Sequence, residues 1–213
     1  MERITSPKEI EKKSMEIIAD ELAKRGKTLP PEYEHIIKRV IHTTADFDFA
    51  DVMEIHSRVQ DSSLGDSVII TDTNMTLTGI SKPGLKKLGA EAFCFMADAD
   101  VAEEAQRMGI TRAAVSVKKA VSKFGDTKRK VIYAVGNAPT ALYELCEHIK
   151  KGFYPKLVIA VPVGFVNVTE AKEEMVAACI QNGIPYIVAH GNKGGSTVAA
   201  AILNAMIYHE TGR

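Results

Sequence analysis

The sequence carries no excess of either charge: 27 lysines and arginines are matched by 27 aspartates and glutamates. A chain with zero net charge has no global basic field to collect nucleic acid, so an anionic ligand must be met by a local basic cluster. Cysteine is scarce. Cys94, Cys146 and Cys179 are scattered and odd in number, with no CxxC and no Cys/His metal spacing. That excludes a disulfide framework and a bound metal is not expected; a reduced, cytoplasmic compartment fits best. Long apolar runs are missing as well. The longest, residues 157–166, is interrupted by Pro162 and Gly164, whereas a membrane span needs about 20 residues. The opening "MERITSPKEIEKKSMEII" lacks a signal-peptide h-region, and there is no internal repeat, low-complexity tract or break in composition. The expectation is one soluble domain over residues 1–213, with no membrane and no nucleic acid among its partners.

What is present is ordinary globular material, 46% apolar and 25% charged over 213 residues. "IEKKSMEIIADELAKRG" places Ile10, Ser14, Ile17, Ile18 and Leu22 at helical spacing, and Gly26 stops it. "PPEYEHIIKRVIHT" predicts a second helix with prolines at its start and His42 at its C-terminal end, and "DVMEIHSRV" a short third. The pattern then changes. "SVIITD", "EAFCFM", "KVIYAV", "KLVIAVP" and "PYIVAH" are short β-branched runs alternating with helical stretches, and "GSTVAAAILNAMIYHE" closes the chain as a last helix. Such alternation predicts an α/β fold: a mostly parallel sheet of about five strands flanked by helices, with an N-terminal helical extension.

In open parallel sheets ligands bind beyond the carboxyl ends of the strands. Three predicted strands end there in small, backbone-exposing sequences: "YAVGNAPTAL" with Gly136 and Asn137, "VIAVPVGFVNVTEAKEE" with Gly164 before an Asn167 or Thr169 cap, and "IVAHGNKGGSTVAAA" with Lys193, Gly194, Gly195 and Ser196. Glycines at a helix start leave amide N–H groups free to hold an anion, or simply make tight βα turns. Three such loops together point to a ligand with several carboxylates. They are not a Walker A loop, no G-x-G-x-x-G follows the first strand, and there is no D-x-H-x-x-G.

The basic stretch "GITRAAVSVKKAVSKFGDTKRK" sets Arg112, Ser116 and Lys119 at helical steps of four and three, on one face that Lys123 extends. Arg can grip a carboxylate with a bidentate fork; the alternative is a solvated helix face. Of the histidines, His35, His56, His148 and His209 sit in helical patterns beside charged neighbours, where surface or packing roles are expected. His190 borders the Gly-rich loop. His42 stands out: a helix C-terminus favours the imidazolium, and Asp46 or Asp48 in "RVIHTTADFDFAD" could favour it further. Such a ring can donate a proton near neutral pH; a structural capping histidine is the other reading.

Four of these segments, "IHTTADFDFA", "GNAPTAL", "PVGFVNVTEAKE" and "GNKGGSTVAAAILNA", resemble the precorrin-8X methylmutase family of corrin biosynthesis, including its cobalt-precorrin-8 branch. Weaker matches at "IEKKSMEII", "MTLTGI" and "GITRA" keep the same order along nearly the whole chain. The resemblance implies a Rossmann-like fold, a homodimer, and an isomerase moving a methyl group from C-11 to C-12 of a tetrapyrrole, precorrin-8x or its cobalt form, with no organic cofactor. It implies that His42 protonates the macrocycle, and that Ser14, Thr43, Thr44 and Arg112 contact substrate, with Lys193 pairing a carboxylate. Asn192 and Ala113 depart from the Arg and Ser that many relatives carry, which leaves the carboxylate contacts at those two places open. A non-catalytic corrinoid carrier using the same loops is the alternative function, and a phosphate- or nucleotide-binding α/β enzyme a third.

Overall fold

A computed structural model describes residues 5–213. Its centre is a six-stranded sheet made of β1 (Met53–Ile55), β2 (Val68–Thr71), β3 (Glu91–Phe93), β4 (Val131–Val135), β5 (Leu157–Ala160) and β6 (Tyr186–Ala189), in the order β1-β6-β5-β4-β2-β3. All neighbours are parallel except β1, which runs antiparallel to β6 with Met53 opposite Ala189.

Every residue of β2, β4, β5 and β6 is buried. This is why these runs are continuously apolar: both faces of a parallel sheet are covered by helices. Alternate side chains serve two cores. Ile69, Ile132, Leu157, Ile159 and Ile187 join a cluster under the helices α1 (Pro7–Lys24), α2 (Glu34–Thr44) and α10 (Ser196–Thr211). Ile70, Tyr133, Val158, Ala160 and Val188 face the cluster under α6 (Ala99–Met108), α7 (Arg112–Phe124), α8 (Pro139–Lys150) and α9 (Val168–Asn182). The remaining short helices are α3 (Phe49–Val52), α4 (Asn74–Gly79) and α5 (Lys82–Leu88).

The α/β architecture with its N-terminal helices agrees with the sequence reading, and the sixth strand corrects it. The segment read as a third helix divides into α3, β1 and a 3-10 turn at Ser57–Asp61. Its reason is local: Met53 takes an extended backbone, and Glu54 of β1 then reaches across to the Tyr186 hydroxyl and to His190. An apolar-polar-apolar triplet is too short to display its period of two within a nine-residue window that also fits a helix. "MTLTGI", given no element from sequence, forms most of α4. Helix α1 buries Ile18 and Leu22 but leaves Ile10 and Ile17 exposed, so its apolar residues cover more than the face packed on α2.

No helix among the described residues is long and apolar enough to cross a membrane.

Candidate active site

The chain leaves the sheet centre in opposite directions after β2 and β4, which makes a switch point between them. In such sheets the crevice there is the usual ligand site. Here an internal carboxylate occupies it. Asp72, one residue past β2 and buried, accepts from the amides of Gly136, Asn137 and Ala138, each at 2.8 Å. Burial pushes the Asp72 pKa up, and the three N–H donors oppose that. The amides that the sequence reading offered to a substrate anion are therefore taken up, although the Asn137 side chain itself remains exposed. An acid directly after four buried β residues was the signal for Asp72.

Anion-holding capacity lies beside it at the same carboxyl end of the sheet, where β6 runs into α10. That helix starts at Gly195 with no side-chain cap, so its first N–H groups keep the attraction for negative charge of a helix N-terminus. Gly194 lies against β5. A Cβ on it would collide with the carbonyl oxygens of Val161 and Pro162, which is why the loop needs glycine there. Gly164, in the loop after β5, donates its N–H to Asn192 O at 3.3 Å. The next two residues of that loop, Phe165 and Val166, are 90% and 76% exposed.

Lys193 bridges this loop to the segment after α2. Its Nζ donates to Asp46 Oδ2 at 2.7 Å and to Asp48 Oδ2 at 2.5 Å. The pairing holds the Asp46 pKa below the usual carboxylate range and raises that of Lys193. The two aspartates expected to tune His42 thus hold Lys193 instead. Asp46 also accepts from Asp48 N at 2.9 Å, closing the turn that follows α2. Ala45 ends that helix in the left-handed conformation, φ 54°.

His42 is exposed in the last turn of α2, and its ring makes no hydrogen bond to another described residue. Thr43 and Thr44 donate their hydroxyls back to Arg39 O and Val40 O, both at 2.9 Å. One turn before His42, Arg39 grips Glu11 of α1 at 2.6 Å, and the charges of Arg39 and His42 contribute to a lowered Glu11 pKa. Ser14 lies three residues beyond Glu11, partly buried. Hydrogen bonds therefore link Thr44, Asp46, Asp48 and Lys193 directly after the last turn of α2, which carries His42, and Arg39 ties α1 to the same helix.

The basic helix behaves differently from its expected single face. Arg112 is exposed at the start of α7 and has no ion pair among the described residues. Ser116 is a correction: it is buried, its hydroxyl donates to Arg112 O at 2.8 Å, and it faces the core rather than a ligand. Lys119 is held by Asp98 at 2.7 Å and by Asp100 at 2.6 Å, and Lys123 lies over the rings of Phe93, Phe95 and Phe124. His190 pairs with Glu54 Oε2 at 2.7 Å.

Sequence reasoning missed Lys172. This α9 residue is only 1% exposed, yet no carboxylate pairs with it among the described residues. Its Nζ donates to Gly191 O at 2.7 Å and Lys193 O at 2.8 Å, and burial pushes its pKa down to about 8. The signal was present: Lys172 falls on the buried stripe of Val168, Ala171, Met175 and Cys179.

A family model for precorrin-8X methylmutase matches residues 9–209. The chain belongs to the precorrin-8X methylmutase family. It is 41% identical to the cobalt-precorrin-8 methylmutase of Leptospira interrogans, over 97% of this chain and 96% of that one. Identity to the cobalt-precorrin-8 methylmutase of Salmonella typhimurium is 40%, over 98% of each. The crystal structure of the precorrin-8x methylmutase from Thermus thermophilus superposes with a TM-score of 0.81 at 32% identity, covering 95% of this chain and 98% of that chain. Methylmutases are isomerases.

Proposed function

We propose that the protein moves a ring methyl group of a precorrin-8 macrocycle, in its cobalt-bearing form, with His42 as the general acid. The observation that carries this reading is the family match across residues 9–209 together with a His42 that is exposed and, among the described residues, unpaired, four positions before the Asp46 that holds Lys193. The cobalt-bearing form is favoured because the relatives at 41% and 40% identity are named for it.

The chemistry asks little of the protein beyond a proton and a shape. His42 donates a proton to the macrocycle, the methyl group migrates to the neighbouring carbon, and the proton returns, so substrate and product are isomers. A positioned acid contributes about 10²- to 10⁴-fold, and holding the flexible ring in a reactive conformation contributes the remainder. The uncapped α10 N-terminus, Lys193 and Arg112 suit peripheral carboxylates. Thr43 and Ser14 border the acid, Thr44 fixes the turn after it, and the Gly164 loop presents Phe165 and Val166 as apolar surface. The chain also pairs with a second copy, a reading supported by Ile10 and Ile17 exposed on α1 and checked by light scattering of the purified protein.

The test is incubation of purified protein with cobalt-precorrin-8 and, separately, with the metal-free macrocycle, followed by absorbance. His42→Ala should lower kcat by about 10²-fold or more while product still binds. Turnover of that variant at the wild-type rate rejects His42 as the acid. Product binding by the wild-type protein with no change in the substrate spectrum would favour a corrinoid carrier.

A further inference from the structure

Lys172 is a long cationic side chain in a core position, aimed at two carbonyl oxygens of one turn. On solvation grounds a methionine would suit that stripe better, because an ammonium leaves water at a cost unless it is fully hydrogen-bonded. What Lys172 holds is specific. Gly191 and Lys193 lie two residues apart, and one nitrogen donating to both carbonyl oxygens clamps the turn between them. The same loop is fastened again by Gly195 N to Val161 O at 2.8 Å and by Gly164 N to Asn192 O. Lys193 leaves this clamped turn to reach Asp46 and Asp48, which close the segment directly after the His42 helix.

We propose that Lys172 is a positioning residue for substrate binding: from the core it sets the Gly191–Lys193 turn, and through it the Lys193 ammonium, beside His42. This rests on the reading of the Lys193 loop as part of the substrate site. The two carbonyls need two N–H donors, and a neutral amine supplies two while an ammonium supplies three. A lysine can therefore shed its charge in this buried place and keep both bonds. Its depressed pKa agrees with that arrangement. An arginine would keep its charge, because it does not deprotonate in proteins. The clamp should accordingly hold unchanged across the titration of Lys172.

The experiment compares wild type, Lys172→Met and Lys193→Met in steady-state turnover of cobalt-precorrin-8, with amide hydrogen exchange on the same proteins. For Lys172→Met we expect KM to rise about tenfold or more with kcat within about threefold, since a displaced loop weakens binding without removing the acid. Exchange should accelerate in the 190–195 loop and stay unchanged in the strands. Wild-type KM should be flat from pH 7 to 9. An unchanged KM in Lys172→Met overturns the proposal, as does faster exchange spread evenly over α9 and the sheet, which marks a merely structural lysine. If Lys172→Met does not fold, Lys172→Gln keeps two amide donors on a shorter stem and should show the same split; unchanged KM there also overturns it. Lys193→Met separates the two readings: wild-type KM in that variant rejects the substrate role of the loop. A raised KM in Lys193→Met beside a normal one in Lys172→Met rejects the clamp alone.

Discussion

Lys193 and Asp46, 147 positions apart in sequence, meet at 2.7 Å and tie the loop after β6 to the turn after α2. The lysine stands where a substrate carboxylate is proposed to bind, so in the free protein Asp46 and Asp48 already satisfy it. A ligand carboxylate must join or displace them.

Asp46 gives a pH prediction from this pairing. Its folded pKa lies below the ordinary 3.8, so its contribution is fully present above that value and is lost as pH falls through the folded pKa. The pair is more than a third exposed, so solvent screening keeps its worth small. Urea denaturation should find Asp46→Asn less stable than wild type at pH 7, with the difference shrinking towards pH 3. A difference that grows on acidification contradicts the assignment.

Asp72 should matter far more to folding. Asp72→Ala strands three inward-facing amides at the end of β4, and buried donors without a partner cost about 1–3 kcal/mol each, less where water enters. A total loss of about 3 kcal/mol is expected in chemical denaturation. Asp72→Asn, which retains one acceptor oxygen, should lose less. Equal stability of Asp72→Ala and wild type would remove the carboxylate from its structural role.

His35 and His209 stack with ring centroids 4.3 Å apart. Burial, and then the neighbouring His209 charge, push the His35 pKa from 6.5 down to about 4. A histidine depressed on folding binds its proton more readily when unfolded, so stability falls as pH drops from about 6.5 towards 4 and is level above that window. In His35→Phe the melting temperature should depend less on pH across this range. An identical pH profile for the two proteins counts against the burial of His35.

The sheet was legible because parallel strands buried on both faces must be apolar throughout; β2, β4, β5 and β6 announced themselves that way. β1 did not, since three residues at an edge carry almost no periodicity and owe their conformation to β6. The His42 segment and the Gly-rich loop could each be singled out, but not their meeting: nothing in a linear pattern pairs Lys193 with Asp46 rather than leaving the aspartates to His42. Helical spacing likewise put Arg112 and Ser116 on one face and could not show that the core begins within that face. Lys172 was visible only as an anomaly, a charge on an apolar stripe, whose partners are main-chain carbonyls with no signature in sequence.

The loops after β4, β5 and β6 touch through their backbones. A Cβ on Gly136 would come within 2.8 Å of Ser196 Cα and 2.9 Å of Gly195 O, and one on Gly194 would strike the end of β5. With no side chains between them to absorb a change of length, these loops form a single part. Exchanging one of them for that of a relative would jam the other two, so a change of substrate preference, by evolution or by design, has to move all three together.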